Sequence, residues 1–155
     1  MIQPDQKAKA VLDTINYITI ATVDSKGQPW NTPVAGFHFA NDYTFYWASW
    51  LNNLHSKNIR EQSKVFVVVY DSTPSNGEPG AGVYMLGKAV ELNNEQEVMA
   101  AALVFKNDPY NPSDGAHYLG DYPRRIYRFT PQQIWMNTDD AVNGNFVDKL
   151  TGAEL

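Results

Sequence analysis

Ser49 closes an aromatic stretch, and His55-Ser56-Lys57-Asn58 follows where the strand pattern gives way to a short helix. Small hydroxyls, the backbone N–H groups at a helix N-terminus and one cation are the donors a phosphate monoester requires. The segment Ser49 to Asn58 therefore reads as an anion-holding site. On local chemistry alone the plainer reading ranks ahead of it: Ser56 simply caps the helix while His55 and Lys57 stand in solvent.

Other chemistries lack their residues. His38, His55 and His117 are isolated, with no H-x-x-x-H pair, so no zinc or iron site is expected. No G-x-S-x-G pentapeptide is present and the chain has no cysteine, which leaves no recognisable acyl-transfer nucleophile. The glycines from Gly77 to Gly82 lack the strand-to-helix context of a dinucleotide or P-loop turn. Tyr46, Trp47, Trp50 and Trp135 read first as core packing. The same rings could also wall a flat ligand in a mostly apolar cleft.

A chain of 155 residues is long enough to bury one core without staples, so residues 1–155 are expected to form a single domain. The net charge of −5, with Lys and Arg scattered, argues against a grip on nucleic acid. No charged-then-apolar leader follows Met1, and no apolar run approaches the roughly 20 residues of a membrane span. Together with the absence of cysteine, these features give the expectation of a soluble, cytoplasmic protein. The aromatic content of 13% favours pleated, half-buried surfaces.

The elements that must position Ser49 to Asn58 can be read in order. Ala8, Val11, Leu12 and Ile15 share one face of a helix from Pro4 to Asn16. Tyr17 to Val23, the turn at Asp24 to Gly27 and the run through Phe37 predict a hairpin. Asn41-Asp42 marks another reversal before the alternating strand Tyr43 to Ser49. A short helix is predicted within Asn52 to Gln62. Lys64 to Tyr70 follows as the strongest strand, expected to be central and buried on both faces. After the Pro- and Gly-rich Ser72 to Gly82 come a strand over Val83 to Leu92 and a helix from Asn93 or Asn94 to about Lys106. The loop Asn107 to Pro123 is long enough to line or cover a site. Short strands are predicted at Arg125 to Phe129, Ile134 to Asn137 and Phe146 to Leu150, punctuated by Pro131 and Gly144.

The order of these pieces resembles the pyridoxamine 5'-phosphate oxidase-like family of FMN-binding split barrels. The resemblance is carried by ITIATVDSKGQPWNTPV (Ile18 to Val34), FYWAS (Phe45 to Ser49), HSKNI (His55 to Ile59), VFVVVYDS (Val65 to Ser72), GVYMLGKAVEL (Gly82 to Leu92) and IYRFTPQQIWMN (Ile126 to Asn137). It implies a mostly β fold with peripheral helices: a six-stranded antiparallel split β-barrel, working as a homodimer with FMN in the grooves between subunits. It further implies that Thr32, Pro33, Val34 and Ala35 run along the flavin through backbone contacts. Ser49 would approach the phosphate or ribityl chain, and Ser56 with Lys57 would hold the phosphate. His55 would assist beside them, and Trp135 and Asn137 would reach the partner's flavin.

The resemblance also departs from the named enzymes. Where those carry arginine and lysine on the second strand and an arginine-lysine pair after the third, this chain has Thr32, Phe37 and Ser56-Lys57, so a lower phosphate affinity is expected. Their terminal arginine and histidine motif has no counterpart among Phe146 to Leu155, so pyridoxamine phosphate oxidase activity itself is not expected. The expected function is an FMN-dependent oxidoreductase of unassigned substrate, with no side chain assigned as catalytic. Alternatives are a flavin-storage or sensor module, or a split barrel binding F420 or haem; the few basic residues near the groove disfavour the anionic F420 tail.

Overall fold

Tyr17–Val23 (β1) alternates open and buried residues, with Ile18, Ile20 and Thr22 turned inward, and this period of two sets the face on which a core forms. Asp24 then reverses the chain. Its carboxylate accepts from the N–H groups of Lys26 and Gln28 at 2.8 and 2.9 Å, and Gly27 takes φ +82°, a left-handed conformation that costs glycine little. Pro29–Ala35 (β2) returns antiparallel to β1 in continuous register from Tyr17↔Ala35 to Val23↔Pro29. These elements belong to a computed structural model that describes residues 4–39, 43–74, 80–142 and 145–152. The reversal expected at Asn41-Asp42, the glycines at 77 and 144 and residues 75–79 of the 72–82 loop fall outside them.

The remaining elements are Pro4–Thr14 (α1), Phe45–Trp50 (β3), Leu54–Glu61 (α2), Lys64–Tyr70 (β4), Gly82–Glu91 (β5), Glu95–Ala102 (α3), Arg124–Val142 (β6) and Asn145–Gly152 (β7). Hydrogen-bonded neighbours run β2-β1-β4-β5-β6-β3, and β7 pairs with β6 as a hairpin. Six antiparallel strands thus curl into a half-barrel with three helices around it, the mostly β split barrel expected from the sequence.

The curled sheet encloses one core of Ile18, Ile20, Phe45, Trp47, Val65, Val67, Met85, Tyr127 and Phe129, with Ala8, Val11 and Leu12 of α1 packed into it. Trp47 and Tyr127 stack here at 5.6 Å and 16°, a pair worth about 0.5–1.5 kcal/mol beyond its area. A second cluster lies where α3 and the 107–123 segment pack against β6, through Val98, Phe105, Tyr118 and Ile126. Asn94 caps α3, its Oδ1 accepting from the Glu97 N–H at 3.1 Å, as its residue type predicts.

Several expectations change. The strands predicted at Arg125 to Phe129 and Ile134 to Asn137 are one strand, β6. Pro131 does not end it, because Leu86 pairs with Gln133 while Gly87 pairs with Pro131, and the resulting bulge accommodates a residue without an N–H. Gly87 has no Cβ there to strike the Thr130 carbonyl. β4 is buried on one face only: Phe66 and Val68 are half-buried and Tyr70 is exposed, because the helices pack elsewhere. Ser56 does not cap α2; Asn53 occupies that position.

Candidate functional site

β2 and β3 would be neighbours in a closed barrel. Among the described residues their only pairing is Phe37↔Tyr46, whose N–H groups reach each other's carbonyls at 2.8 and 2.6 Å. Gly36 donates the other way, to Asn16 before β1. The alternation of an antiparallel strand therefore turns the main-chain groups of Asn31, Pro33 and Ala35 away from β1 and onto the open edge, with Pro33 contributing a carbonyl alone. The barrel is split along this edge.

β3 ends and α2 begins beside the split, since α2 packs against β1, β2 and β5. Ser49 points inward with Phe45 and Trp47 and is 6% exposed. Its Oγ lies 2.8 Å from His55 Nε2 and accepts from Asn53 Nδ2 at 2.9 Å. Asn53 thus turns its side chain to Ser49 instead of capping α2, and the first turn carries no acidic residue. The N–H groups of Leu54, His55 and Ser56, beyond the reach of any helix carbonyl, receive no side-chain cap, and such a turn suits an anion.

α2 buries a polar face: His55, Ser56, Asn58 and Ile59 go inward while Leu54, Lys57 and Arg60 face out. His55 and Asn58 have partners there, whereas the fully buried Ser56 Oγ has none among the described residues. His55 meets Ser49, and Asn58 Nδ2 donates to Thr22 Oγ1 at 3.0 Å. Burial holds the His55 imidazole below its ordinary value, so it is neutral near neutral pH. Arg60 anchors the helix, donating to Glu91 Oε2 at 2.7 Å and to the Leu51 carbonyl at 2.8 Å, while the Tyr127 hydroxyl donates to the same Glu91 oxygen at 2.7 Å.

A family model described as pyridoxamine 5'-phosphate oxidase matches residues 4–138. The chain belongs to the pyridoxamine 5'-phosphate oxidase family. Solved structures share the family fold at low identity. A haem-binding protein from Mycobacterium smegmatis superposes with a TM-score of 0.68 at 16% identity, covering 96% of this chain and 58% of its own. The haem storage protein of Vibrio cholerae gives 0.69 at 14%, covering 85% and 93%. An FAD-binding protein from Mesorhizobium loti gives 0.63 at 19%, covering 84% and 91%. The chain spans about three fifths of the length of two of the longer neighbours, the Mycobacterium protein among them. No curated protein matches by sequence.

Within this family fold the residues singled out from the sequence separate into two groups. Ser49 and His55 are in direct contact, and Pro33 and Ala35 turn their main-chain groups to the split, while those of Thr32 and Val34 face β1 and Val34 packs on the core. Lys57 is exposed on α2 and joins no ion pair among the described residues. Ser56 is fully buried, so its hydroxyl sits in the interior and its amide is what lies at the helix start. Trp135 and Asn137 lie elsewhere. Trp135 stacks on Phe66 at 6.3 Å, and Asn137 binds the Gly82 N–H at 2.7 Å and the Gly80 carbonyl at 3.3 Å. Trp135 stands ten residue steps along β6 from Arg125, about 33 Å of strand. One chain does not bring them to Ser49.

Two residues were missed. Asn53 carries no sequence signal beyond its helix-cap type. Arg125 is the cross-strand partner of Ser49 on the same face of the sheet. Its guanidinium is held by the carbonyls of Gly120, Tyr122 and Arg124, and no carboxylate lies within ion-pair range among the described residues. Only strand pairing reveals this cation. The 107–123 segment also reaches the site's edge, where Pro123 accepts from the Leu51 N–H at 2.9 Å. Tyr118, fully buried, secures that segment against α3.

Proposed function

We propose that the chain binds FMN at the split of the barrel and serves as an FMN-dependent oxidoreductase. The observation that carries the reading is the meeting of Ser49 with the uncapped first turn of α2 beside an open β2 edge; Lys57, on the exposed side of that helix, joins no ion pair among the described residues. Phosphate is held by that turn, Ser49 and Lys57, with Arg125 adding positive potential from the neighbouring strand. The main-chain groups of Pro33 and Ala35 meet the polar rim of the ring system. FMN, when bound, supplies hydride or electron transfer, and the chain supplies binding, orientation and exclusion of water.

The same reading includes a homodimer. The outer face of β1, β4, β5 and β6 presents Phe66, Val68, Tyr84, Leu86 and Trp135 half-buried, flanked by the exposed Tyr17 and Tyr70, with no helix among the described residues over it. Packing two such faces together would carry Trp135 and Asn137 of one subunit toward the split of the other. A yellow protein with a flavin absorption spectrum, or a thermal midpoint raised by added FMN, supports the proposal. A colourless protein indifferent to FMN rejects it.

Haem is the second reading, favoured by His117. Its side chain is 45% exposed, its Nε2 makes no hydrogen bond among the described residues, and it stands against Tyr122 beside an open hollow lined by Ala116, Leu119, Tyr122 and Pro123. His38 has both ring nitrogens engaged by carbonyls, and His55 is committed to Ser49. A Soret band on haem addition that His117→Ala abolishes would support haem over flavin.

A further inference from the structure

The Ser49 hydroxyl has one proton and two lone pairs. One lone pair takes the Asn53 amide at 2.9 Å. His55 Nε2, at 2.8 Å, takes either the proton or the second lone pair, according to which ring nitrogen carries hydrogen. With Nε2 bare, Ser49 gives its only proton to His55 and has only a lone pair left to offer an approaching phosphate oxygen, which that lone pair repels. With Nε2 protonated, both lone pairs are filled by donors and the proton is free to point outward.

We propose that His55 is a positioning residue that makes Ser49 an anion donor: a bound phosphate monoester selects the Nε2-protonated ring and completes the chain His55 Nε2–H to Ser49 Oγ, then Ser49 O–H to a phosphate oxygen. The inference rests on the flavin-phosphate reading of this site. The surroundings leave the choice of tautomer to the ligand. Tyr127 on β6 faces the ring at 6.5 Å, and behind it Glu91 on β5 is committed to Arg60 and the Tyr127 hydroxyl. Thr22 on β1 is engaged by Asn58, and Lys57 lies on the outer face of α2. Among the described residues no carboxylate comes within ion-pair distance of His55, so nothing charged fixes its second nitrogen. In many buried histidines a carboxylate or carbonyl on that second nitrogen decides the tautomer.

The consequence is a preference for FMN over riboflavin that passes through His55 without His55 touching the ligand. His55→Leu should weaken FMN about tenfold, the loss of one charge-assisted hydrogen bond, and leave riboflavin unchanged. Ser49→Ala should do the same. His55→Gln, whose amide can still donate near the Nε2 position, should keep much of the preference. Equal losses for both flavins in His55→Leu would show a merely structural role and overturn the proposal.

The decisive experiment uses the unaltered chain, labelled with nitrogen-15, and reads the His55 ring nitrogens by NMR before and after FMN. The expected result is a protonated Nε2 in the FMN complex but not in the riboflavin complex. FMN bound with Nε2 bare overturns this inference alone, and failure of FMN to bind overturns both it and the flavin reading.

Discussion

Phe37 and Tyr46 exchange main-chain hydrogen bonds of 2.8 and 2.6 Å, and past this one bridge β2 and β3 part to open the split. The Phe37 ring meets Phe105 edge-on at 5.1 Å, so the turn after α3 braces the point where the barrel closes. Phe37→Ala removes that brace from a half-buried site. A loss of about 2–3 kcal/mol is expected in urea unfolding, below the range for a fully buried Phe. A change under about 0.5 kcal/mol, the size of an ordinary surface substitution, would mean that closure is held elsewhere.

Glu91 joins α2 to the sheet by accepting from both Arg60 and Tyr127 at 2.7 Å while only 11% of its side chain is exposed. Glu91→Ala strands a guanidinium and a phenol together and should cost about 2–4 kcal/mol. Glu91→Gln keeps an acceptor and should cost less. Thermal unfolding of the two variants should rank them in that order.

Tyr118 gives a pH signature. Burial, opposed by Arg124 and aided by Asp108, pushes its phenol from 10.0 up to about 12. An unfolded chain releases this proton near 10.0 and the folded chain only near 12, so its stabilisation is complete below 10.0 and is lost as pH rises toward 12. Burial pushes Tyr127 in the same direction. Tyr118→Phe should therefore flatten only part of the alkaline fall in stability. At neutral pH it should cost about 1 kcal/mol, through the lost bond to the Pro112 carbonyl.

These contacts show what a sequence can and cannot disclose. β4 was legible to the residue because a β-branched run bounded by turn signals has one reading, and Asn94 was legible as a cap because its side chain acts locally. β6 was not, because a proline inside a strand reads as an end until its bulge and the facing Gly87 are known. The pairing of Ser49 with His55 could be guessed from proximity in the chain. The burial of Ser56 depends on helix phase, and on α2 polar residues face inward, the reverse of the usual amphipathic rule. Arg125 is far from Ser49 in sequence and joins it only through the β3–β6 register.

If two chains pack through the outer sheet face, a charge at its centre should separate them. Leu86→Glu lies on that face with Phe66 and Trp135 around it. Light scattering should then report a mass near the 17.4 kDa of one chain where the unaltered protein gives twice that. Flavin binding should fall with it, since the proposed site draws on both subunits. A dimer that survives the substitution would place the interface elsewhere.

The central claim is that this site holds a flavin by its phosphate, and the most direct measurement compares FMN with riboflavin in the unaltered protein and in Lys57→Ala. The unaltered protein should bind FMN more tightly, and Lys57→Ala should weaken FMN by about 1–3 kcal/mol while leaving riboflavin and folding stability unchanged. Equal affinity for the two flavins, or FMN binding untouched by the loss of Lys57, would contradict it.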